Sequence, residues 1–344
     1  MDSDENNNSK VSIQTILENS LASLDNGKYG ICFPSCVSAM TAVFSLLKVG
    51  DHIICGDDIF GGTCNLLRKV FPQFKIDVDF IDMTDTLNVE NAIKPNTKLI
   101  FYETPTNPTL KVTDIHKIAK IAKSKNLIHV VENTFLTSYF QKPLNLGADI
   151  VLYSLTKYMN GHSDVFMGAI VTNSDGLYKQ LKLRQDCMGI NPSSLDCHLV
   201  FQSLKTLPLR MRQHMFNGQR VAEFLDTHSS VQKVLYTGLS SHPQYELSKK
   251  QTSGHCGIVS FYIKGSKEES TKFLKSLKLI QIAVSFGGYE SIIQLPKYCT
   301  SNPVPETRRA KLGINDSLLR LSVGLENVDD LIIDLNQALN SINL

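Results

Sequence analysis

Residues 150–157 read IVLYSLTK, a short apolar run followed by two hydroxyl residues and a lysine. A strand that ends in polar groups is typical of a parallel sheet, where ligands lie outside the carboxyl ends of the strands. Similar short apolar runs that lead into turns recur at residues 29–33, 51–55, 76–81, 98–102 and 128–131. We therefore expect the polar strand ends to form one site.

Helical patterns separate these predicted strands. Residues 12–24 and 37–47 read as helices, and so does the segment after Asp114, where apolar residues recur at helical spacing and lysines lie away from them. Asp114 is a suitable N-cap for this helix, and Asn126 a suitable stop. Strands that alternate with helices predict an α/β fold, a doubly wound and mainly parallel sheet covered on both faces.

The C-terminal part of the chain has a different pattern. Long helical segments at residues 197–226 leave the sheet, and residues 258–263, 318–323 and 328–339 read as two strands and a final helix. A chain of 344 residues also exceeds the usual size of one compact core. We expect a large domain over residues 17–205 and a smaller C-terminal α+β domain over residues 206–344.

Composition excludes several classes of protein. Hydrophobic residues make up 42% of the chain and charged residues 20%, which argues against a disordered chain or a coiled coil. The 35 basic and 33 acidic side chains are too balanced for a generic electrostatic grip on nucleic acid or an anionic membrane. No apolar run approaches the roughly 18–20 residues of a membrane span, and the eight cysteines contain no C-x-x-C pair. These features favour a cytoplasmic protein in a reducing compartment.

Lys157 is the most informative residue of the polar strand ends. A lysine is most often a solvated surface group, but a partly desolvated amine has a lowered pKa and condenses with aldehydes. The hydroxyls of Ser154 and Thr156 are suited to hold a phosphate, and the backbone N–H groups near Cys36 and Val37 offer a second anion site at a helix start. An amine next to phosphate anchors indicates pyridoxal phosphate as cofactor.

Two charged residues fit this interpretation. The ring nitrogen of pyridoxal phosphate needs an acidic partner. Glu132 follows an apolar strand and therefore lies at the edge of the sheet where the carboxyl ends of the strands meet. The alternative for Glu132 is a solvated loop carboxylate. Arg320 lies inside an apolar strand, where a buried guanidinium needs an anion such as a substrate carboxylate. The alternative for Arg320 is an internal salt bridge.

Two other classes of site have little support. A nicotinamide-binding fold requires a G-x-G-x-x-G turn after the first strand, and the chain has Pro34-Ser35-Cys36 there. Support for metal catalysis is similarly weak, because His162 with Asp164 and His255 with Cys256 lack the spacing of metal ligands and are better explained by loop hydrogen bonding or packing. We expect no metal.

The chain resembles the cystathionine γ-lyase group of the Cys/Met-metabolism family of pyridoxal-phosphate enzymes. The resemblance runs from about Leu17 to the C-terminus and rests on three motifs: Glu103-Thr104-Pro105-Thr106-Asn107-Pro108, the stretch from Ser154 to Val165 (S-x-T-K-Y-x-N-G-H-S-D-V), and Arg320-Leu321-Ser322-Val323-Gly324-Leu325-Glu326. It implies an aminotransferase-like fold, a homotetramer of two tight dimers, and a cofactor carried by Lys157 as a Schiff base.

The resemblance also implies roles for individual residues. Ser154 and Thr156 hold the phosphate, Asn107 contacts the ring hydroxyl, Lys157 moves protons between substrate carbons, and Arg320 binds the substrate α-carboxylate. The remaining cofactor contacts are expected from Cys36, Val37, Phe60, Glu132 and Thr134. Asn107 and Ser285 are expected at the substrate together with Arg320, and the catalytic residues are Lys157, Phe60 and Arg320.

The chain departs from the family pattern around the cofactor. Glu132 replaces an Asp, Cys36 replaces a glycine at the phosphate, and Phe60 replaces a tyrosine, so the ring can still stack although its hydroxyl is lost. A side chain at position 36 is expected to crowd the anion, or to be strained if the site needs a positive φ. By the resemblance we expect residues 1–16 to be a shortened or degenerate N-terminal arm, in which Asn6 and Asn8 stand where the family sends a Tyr-x-Arg pair to the partner's phosphate.

Two hypotheses of different class follow. The first is an active lyase that performs γ-elimination of L-cystathionine to cysteine, 2-oxobutanoate and ammonia. Within it, Val284 stands where many cystathionine enzymes have a glutamate, which leaves methionine or cysteine as alternative substrates. The second is a catalytically impaired homologue that keeps the fold and assembles with an active relative, because the departures cluster around the cofactor.

Overall fold

Two β-sheets organise the computed structural model, which describes residues 12–342. The first sheet has seven strands in the spatial order β1-β7-β6-β5-β4-β2-β3. Its strands are Tyr29–Phe33 (β1), His52–Gly56 (β2), Asp77–Ile81 (β3), Thr97–Glu103 (β4), Ile128–Glu132 (β5), Ile150–Ser154 (β6) and Gly168–Thr172 (β7). The six strands predicted from the sequence are confirmed to within one or two residues.

Within the first sheet, β7 is the strand that the sequence did not reveal. It pairs antiparallel with both β1 and β6, whereas β2, β3, β4, β5 and β6 pair in parallel. The sheet is therefore mainly parallel, as predicted. Strand β7 carries Gly168, whose missing side chain lets the Ser35–Cys36 turn pack closely, since a Cβ there would lie 2.6 Å from the Cys36 Cα.

Thirteen α-helices lie among the described residues. They are Ile13–Leu24 (α1), Cys36–Phe44 (α2), Gly61–Asn65 (α3), Thr86–Ala92 (α4), Ile115–Ser124 (α5), Thr137–Phe140 (α6), Asp175–Met188 (α7), Ser194–Leu204 (α8), Leu207–Thr227 (α9), Tyr245–Gln251 (α10), Lys267–Ser276 (α11), Glu306–Lys311 (α12) and Val328–Ser341 (α13). A π-helical turn, Leu66–Val70, follows α3.

Local sequence explains the clearest of these helices. The Asp114 side chain accepts a hydrogen bond of 3.0 Å from the Lys117 N–H and caps α5, as predicted. The helix ends at Ser124, and Asn126 then takes a positive φ of 53°, as expected of a stop. Helix α2 is shorter than predicted and ends at Phe44.

The first sheet is buried on both faces. Ile54, Ile100 and Val131 belong to one apolar cluster, and their chain neighbours Ile53 and Leu99 belong to another. Because successive side chains of a strand point to opposite faces, this alternation places one cluster on each side of the sheet. The predicted doubly wound arrangement is confirmed.

The second sheet lies in the C-terminal part of the chain and has the order β10-β11-β12-β9-β8. Its strands are Val231–Leu235 (β8), Ile258–Ile263 (β9), Gln281–Ile282 (β10), Ile292–Gln294 (β11) and Leu318–Ser322 (β12). Strands β9 and β12 and helix α13 confirm the predicted elements, and Leu331, Leu335 and Leu339 of α13 are buried in the core of this part. The boundary between residues 205 and 206 stays a prediction, two residues before α9 begins.

Two further features concern the chain as a whole. None of the helices within residues 12–342 combines the length and apolar character that crossing a membrane requires. All eight cysteines are free thiols, and five of them are buried.

Candidate active site

The carboxyl ends of the central strands meet at a cavity of about 370 Å³. This volume falls in the roughly 300–1,000 Å³ range of small-molecule sites. Nine of the predicted site residues line the cavity, namely Cys36, Phe60, Asn107, Glu132, Thr134, Ser154, Lys157, Ser285 and Arg320. The first seven come from the first sheet and its connections, whereas Ser285 and Arg320 come from the second.

Lys157 lies in the turn after β6. Its Nζ donates a hydrogen bond of 2.5 Å to the Ser285 hydroxyl and lies 4.8 Å from the centre of the Phe286 ring. Burial and then the nearby charge of Arg320 lower the pKa of the Lys157 amine to about 8. Lys157 is therefore not the solvated surface lysine that the sequence left as the alternative, and a large share of it is neutral near pH 8.

Glu132 is the last residue of β5 and is 8% exposed. Its carboxylate accepts the Thr134 hydroxyl and, at 3.3 Å, the Thr134 N–H. Burial raises the Glu132 pKa to about 7, although the bonds from Thr134 and the charge of Lys157 act in the opposite direction. This environment rules out the solvated loop carboxylate.

A second buried carboxyl, Glu103, lines the same cavity, although no role of its own was predicted for it. It ends β4 and accepts the Phe60 N–H at 2.7 Å. Burial, and then the charge of Glu132, raises its pKa well above the usual value. The carboxyl of Glu103 thus fixes the main chain of residue 60. Its position directly after the predicted strand at residues 98–102 is the sequence feature that could have identified it.

Arg320 in β12 is 1% exposed. Its guanidinium donates to the Asn107 side-chain oxygen at 2.9 Å and to the Ser285 carbonyl at 2.5 Å. The Gln294 side-chain amide, oriented so that its oxygen faces the guanidinium, accepts a third hydrogen bond at 2.7 Å. Within residues 12–342 no carboxylate lies within 4.0 Å of it. The internal salt bridge is therefore absent from the described chain, and the cavity offers a buried cation to an incoming anion.

The departures from the family pattern are accommodated without backbone strain at Cys36. This residue begins α2 with a negative φ, so the predicted alternative of strained dihedrals at position 36 is wrong. Its side chain lines the cavity. Strain lies instead at Ser285, which has a φ of 109°, in the region that favours glycine.

Two of the predicted residues that the structure describes, Val37 and Thr156, do not line the cavity. Val37 is not among the residues that line the cavity and has 37% of its surface exposed. The Thr156 hydroxyl contacts the backbone of Met167, at 3.1 Å from its nitrogen and 3.3 Å from its carbonyl oxygen. Asn6 and Asn8, and with them the predicted arm contact, lie outside the described residues.

Of the remaining lining residues, only Val284 was given a role in the sequence-based predictions. They are Met40, Glu103, Phe135, Phe166, Val284, Phe286 and Thr300. Val284 was discussed as a specificity position, and Phe286 falls two residues after it. Phe166 and Thr300 carry no pattern that marks them, because they enter the site only through the packing of distant loops.

The chemistry of these groups fits pyridoxal phosphate. Lys157 offers an amine of lowered pKa for the aldehyde, and Glu132 offers a buried carboxyl for the ring nitrogen. The Ser154 hydroxyl makes no hydrogen bond to any described residue, and the N–H groups at the start of α2 adjoin the same cavity. A phosphate has donors there.

Comparisons with known proteins agree with this geometry. A family model described as "Cys/Met metabolism PLP-dependent enzyme" matches residues 8–340. The cystathionine gamma-lyase of Mus musculus is 51% identical over 326 residues, which cover 94% of this chain and 82% of that protein. The enzyme of the same name from Dictyostelium discoideum is 46% identical over 323 residues, covering 94% and 84%.

The fold comparison points the same way. The crystal structure of cystathionine gamma-lyase from Lactobacillus plantarum, complexed with L-serine, superposes with a TM-score of 0.94 at 37% sequence identity. The match covers 99% of this chain and 91% of that chain.

Proposed function

This chain belongs to the Cys/Met-metabolism family of pyridoxal-phosphate-dependent enzymes, and we propose that it is a carbon–sulfur lyase that cleaves L-cystathionine by γ-elimination. The reaction consumes one water and yields cysteine, 2-oxobutanoate and ammonia. One observation carries the proposal: Lys157, whose amine has a pKa lowered to about 8, shares a cavity with Arg320, a buried cation without a carboxylate partner among the described residues. Relatives about half identical to this chain bear the name of this activity.

The cofactor supplies the electron sink: when bound, it draws electrons from the substrate α-carbon and makes the α-hydrogen acidic. The protein must then move protons. In our proposal the neutral Nζ of Lys157 takes the proton from the α-carbon and carries protons along the substrate chain until the sulfur departs. The hydrogen bond from this Nζ to the Ser285 hydroxyl, 2.5 Å long, gives the amine a defined resting position.

Substrate orientation is the task of Arg320. Its planar guanidinium is suited to hold a carboxylate by two parallel hydrogen bonds. Because Asn107 and Ser285 already accept from it, the guanidinium is aimed before the substrate arrives. Arg320, Asn107 and Ser285 form the proposed substrate-binding set, as the resemblance implies.

The cofactor would be held by the groups at the strand ends. Glu132, with its carboxylate fixed by Thr134, would serve the ring nitrogen, and Phe60 would supply an apolar surface for the ring. Ser154, Thr156 and the start of α2 at Cys36 and Val37 would serve the phosphate. Of these, Ser154 and Cys36 have the strongest support, because both line the cavity, whereas Thr156 is already bonded to Met167.

A second substrate class is favoured by the mouth of the cavity. Val284 and Phe166 have 61% and 78% of their surfaces exposed and line the cavity together with Phe60. The carboxyl groups that line it, Glu103 and Glu132, are buried and engaged. An uncharged distal group therefore meets an apolar surface, which makes methionine the second candidate and cysteine a third.

Impaired catalysis is the alternative function. Phe60 offers no hydroxyl at the cofactor ring, and a positioned acid or base typically contributes on the order of 10²- to 10⁴-fold to a rate. A chain with such a deficit can still bind the cofactor and assemble with an active relative. The experiment below separates this alternative from the active lyase.

The cellular setting is also a proposal. We place the protein in the cytoplasm, in amino-acid metabolism that transfers sulfur to cysteine, and assign it a homotetramer or a hetero-oligomer with a related subunit. Eight free thiols are consistent with a reducing compartment. The exposed apolar side chains of Val284 and Phe166 at the cavity mouth support coverage by another subunit.

The test is the visible absorption spectrum of the purified protein with pyridoxal phosphate, before and after L-cystathionine. We expect a band that Lys157→Ala abolishes, that substrate changes, and that accompanies release of 2-oxobutanoate. Lys117→Ala, at an exposed helix position, is the matched control. A lysine-dependent band that no sulfur amino acid perturbs contradicts the lyase and supports the impaired homologue. Turnover of methionine but not cystathionine assigns the second substrate.

A further inference from the structure

Directly behind the Lys157 turn lies a buried arginine that none of the roles above includes. Arg210, in the second turn of α9, is 7% exposed. Its Nη1 donates to the Tyr158 carbonyl at 2.5 Å, and its Nη2 donates to the Met159 carbonyl at 3.1 Å. The guanidinium also bonds the Ser203 carbonyl at 2.9 Å and the Thr206 hydroxyl at 3.1 Å. Every acceptor of this side chain is a neutral oxygen.

Such a cation is costly to bury. No carboxylate in residues 12–342 approaches Arg210 within 4.0 Å. Burial lowers the pKa of its guanidinium to about 10, which shows how strongly the site disfavours charge. A buried charge that is not paired usually weakens a fold, and it is expected where it serves a specific geometry.

The geometry here is the turn that carries Lys157. The Lys157 N–H donates to the Ser154 carbonyl at 3.2 Å, and the Gly161 N–H donates to the Lys157 carbonyl at 2.7 Å. The turn then ends, so the next two carbonyls, of Tyr158 and Met159, have no helical N–H to accept. Arg210 supplies both donors.

The chain also leaves room for the guanidinium. Gly161 has a φ of 75°, and a Cβ at this position would lie 2.2 Å from Nη1 of Arg210. A side chain there would therefore displace the arginine. On the other side of the turn, a Cβ on Gly287 would lie 2.8 Å from the Tyr158 nitrogen, so the loop that carries Ser285 packs directly against the same segment.

We propose that Arg210 is a positioning residue for the lyase reaction, and that its hold on the Tyr158 and Met159 carbonyls sets where the Nζ of Lys157 lies relative to Ser285 and the cofactor. The inference rests on the proposed function, in which this Nζ moves the proton. Arg210 touches neither cofactor nor substrate, so it acts only through Lys157. The Tyr158 ring is held separately, because its hydroxyl accepts from the Gly257 N–H at 3.1 Å. Loss of Arg210 therefore frees the main chain after Lys157 while the ring stays anchored.

The test compares Arg210→Gln and Arg210→Lys with Arg212→Gln, an exposed arginine on the same helix. The first readout is independent of turnover: the rate at which the cofactor-free protein develops its Lys157-dependent visible band with pyridoxal phosphate. We expect Arg210→Gln to slow this rate and kcat by about tenfold or more, since misplacement of a reacting group by about 1 Å costs on the order of 10²-fold. KM should change by less than about threefold, because Arg320 still binds the carboxylate.

Arg210→Lys should recover part of the loss, because one ammonium reaches one carbonyl but not both. Arg212→Gln should match the wild type. If Arg210→Gln does not fold, Thr206→Val replaces it. That variant removes the oxygen that orients Nε, together with the hydrogen bond that the Thr206 hydroxyl donates to the Ser203 carbonyl, but it leaves Nη1 and Nη2 on the Tyr158 and Met159 carbonyls. It should therefore slow band formation by a smaller factor. A folded Arg210→Gln protein, or in its place a folded Thr206→Val protein, with wild-type band kinetics and kcat overturns the proposal. A loss fully explained by a smaller folded fraction overturns it as well.

Failure of the proposed function remains distinguishable. If the wild type forms the band but cleaves no sulfur amino acid, the proposed lyase activity is wrong. Slower band formation in Arg210→Gln would still support a role of Arg210 in positioning Lys157.

Discussion

Lys157 and Arg320 are linked through a single residue, Ser285, which accepts from the Lys157 Nζ through its hydroxyl and from the Arg320 guanidinium through its carbonyl, each at 2.5 Å. The amine belongs to the first sheet and the guanidinium to the second. Ser285 makes both contacts with a φ of 109°, in the region that favours glycine. The proton-moving amine and the carboxylate-binding cation are therefore placed relative to each other by one strained residue.

We expect Ser285→Ala to lower kcat by up to about tenfold, because the Nζ loses its only described hydrogen-bond acceptor, and a hydrogen bond between neutral groups is worth about 0.5–1.5 kcal/mol. Ser285→Gly removes the same hydroxyl but relieves the positive φ. It should lower kcat similarly and yet be more stable than Ser285→Ala, with a free energy of unfolding about 1 kcal/mol higher and therefore a higher unfolding temperature. Steady-state kinetics and thermal unfolding test both statements. Equal stability of the two variants would contradict strain at this position.

Capture of the cofactor should depend on pH through the Lys157 amine. Only the neutral amine attacks an aldehyde, and burial and Arg320 lower its pKa to about 8. The rate of appearance of the lysine-dependent band should therefore rise with pH to a midpoint near 8. Arg320→Gln should move this midpoint upward, since it removes a positive charge. Stopped-flow absorbance across pH gives the result, and a wild-type midpoint at the ordinary lysine value of 10.5 would count against it.

Phe60→Tyr should raise kcat of the lyase by about tenfold or more, because a positioned hydroxyl that takes part in proton transfer contributes on the order of 10²- to 10⁴-fold. The ring should stay in place, since Glu103 holds the residue 60 N–H at 2.7 Å. Phe74→Tyr, on a half-exposed ring outside the cavity, is the control. Unchanged kcat in Phe60→Tyr would show that the ring edge does not reach the reacting atoms.

Val284→Glu should shift preference toward cystathionine over methionine. A carboxylate at this exposed position can pair with the distal amino group, and an exposed ion pair contributes up to about 1 kcal/mol, or roughly fivefold in kcat/KM. Val284→Gln controls for size and polarity. The ratio of kcat/KM for the two substrates is the measurement, and an equal shift in both variants would exclude the charge as its cause.

Asp25 should make the stability of the cofactor-free protein fall as pH rises. Its side chain is fully buried and accepts from the Tyr153 hydroxyl at 2.6 Å. Burial raises its pKa from 3.8 to about 7, although the hydrogen bond from Tyr153 and the charge of Lys142 act in the opposite direction. Between these two values the folded state binds more protons than the unfolded state, so unfolding becomes easier as pH rises through this window.

Asp25→Asn keeps an acceptor for Tyr153 and cannot ionise. Denaturant unfolding between pH 4 and 8 should therefore show a free energy of unfolding that depends less on pH in this variant than in the wild type. Toward pH 8 the variant should become more stable relative to the wild type by a few kcal/mol, about 1.4 kcal/mol for each unit of difference between the folded and unfolded pKa of Asp25. Asp226→Asn, at an exposed position, should leave the profile as it is. Parallel profiles for Asp25→Asn and wild type would mean that Asp25 stays ionised when folded.

The sequence predicted most of the first sheet because buried strands read as apolar runs and because the site residues follow them directly. It missed β7, since Gly168–Thr172 follows a loop with no helix between it and β6, so the alternation on which the prediction relied breaks there. It also missed the short strands β10 and β11, of two and three residues, which are too short for any period to show.

In the site, residues within the motifs were found and residues brought in by packing were not. Thr300 lines the cavity because its loop lies against Gly61, more than two hundred positions earlier, where a Cβ would be 2.4 Å from its carbonyl oxygen. No local pattern encodes such a contact. The role of Arg210 was hidden for a different reason: its partners are main-chain carbonyls, and those leave no trace in side-chain identity.

The bond between the Glu103 carboxyl and the main-chain N–H of Phe60 bears on how the chain can change over generations. Because the anchor is the backbone, the identity of the ring is free to vary without moving the segment. Phenylalanine and tyrosine codons differ by one nucleotide, so a single point mutation would return the hydroxyl to a place already shaped for it. The departure at this position is reversible, and selection for faster turnover would have a short path to follow.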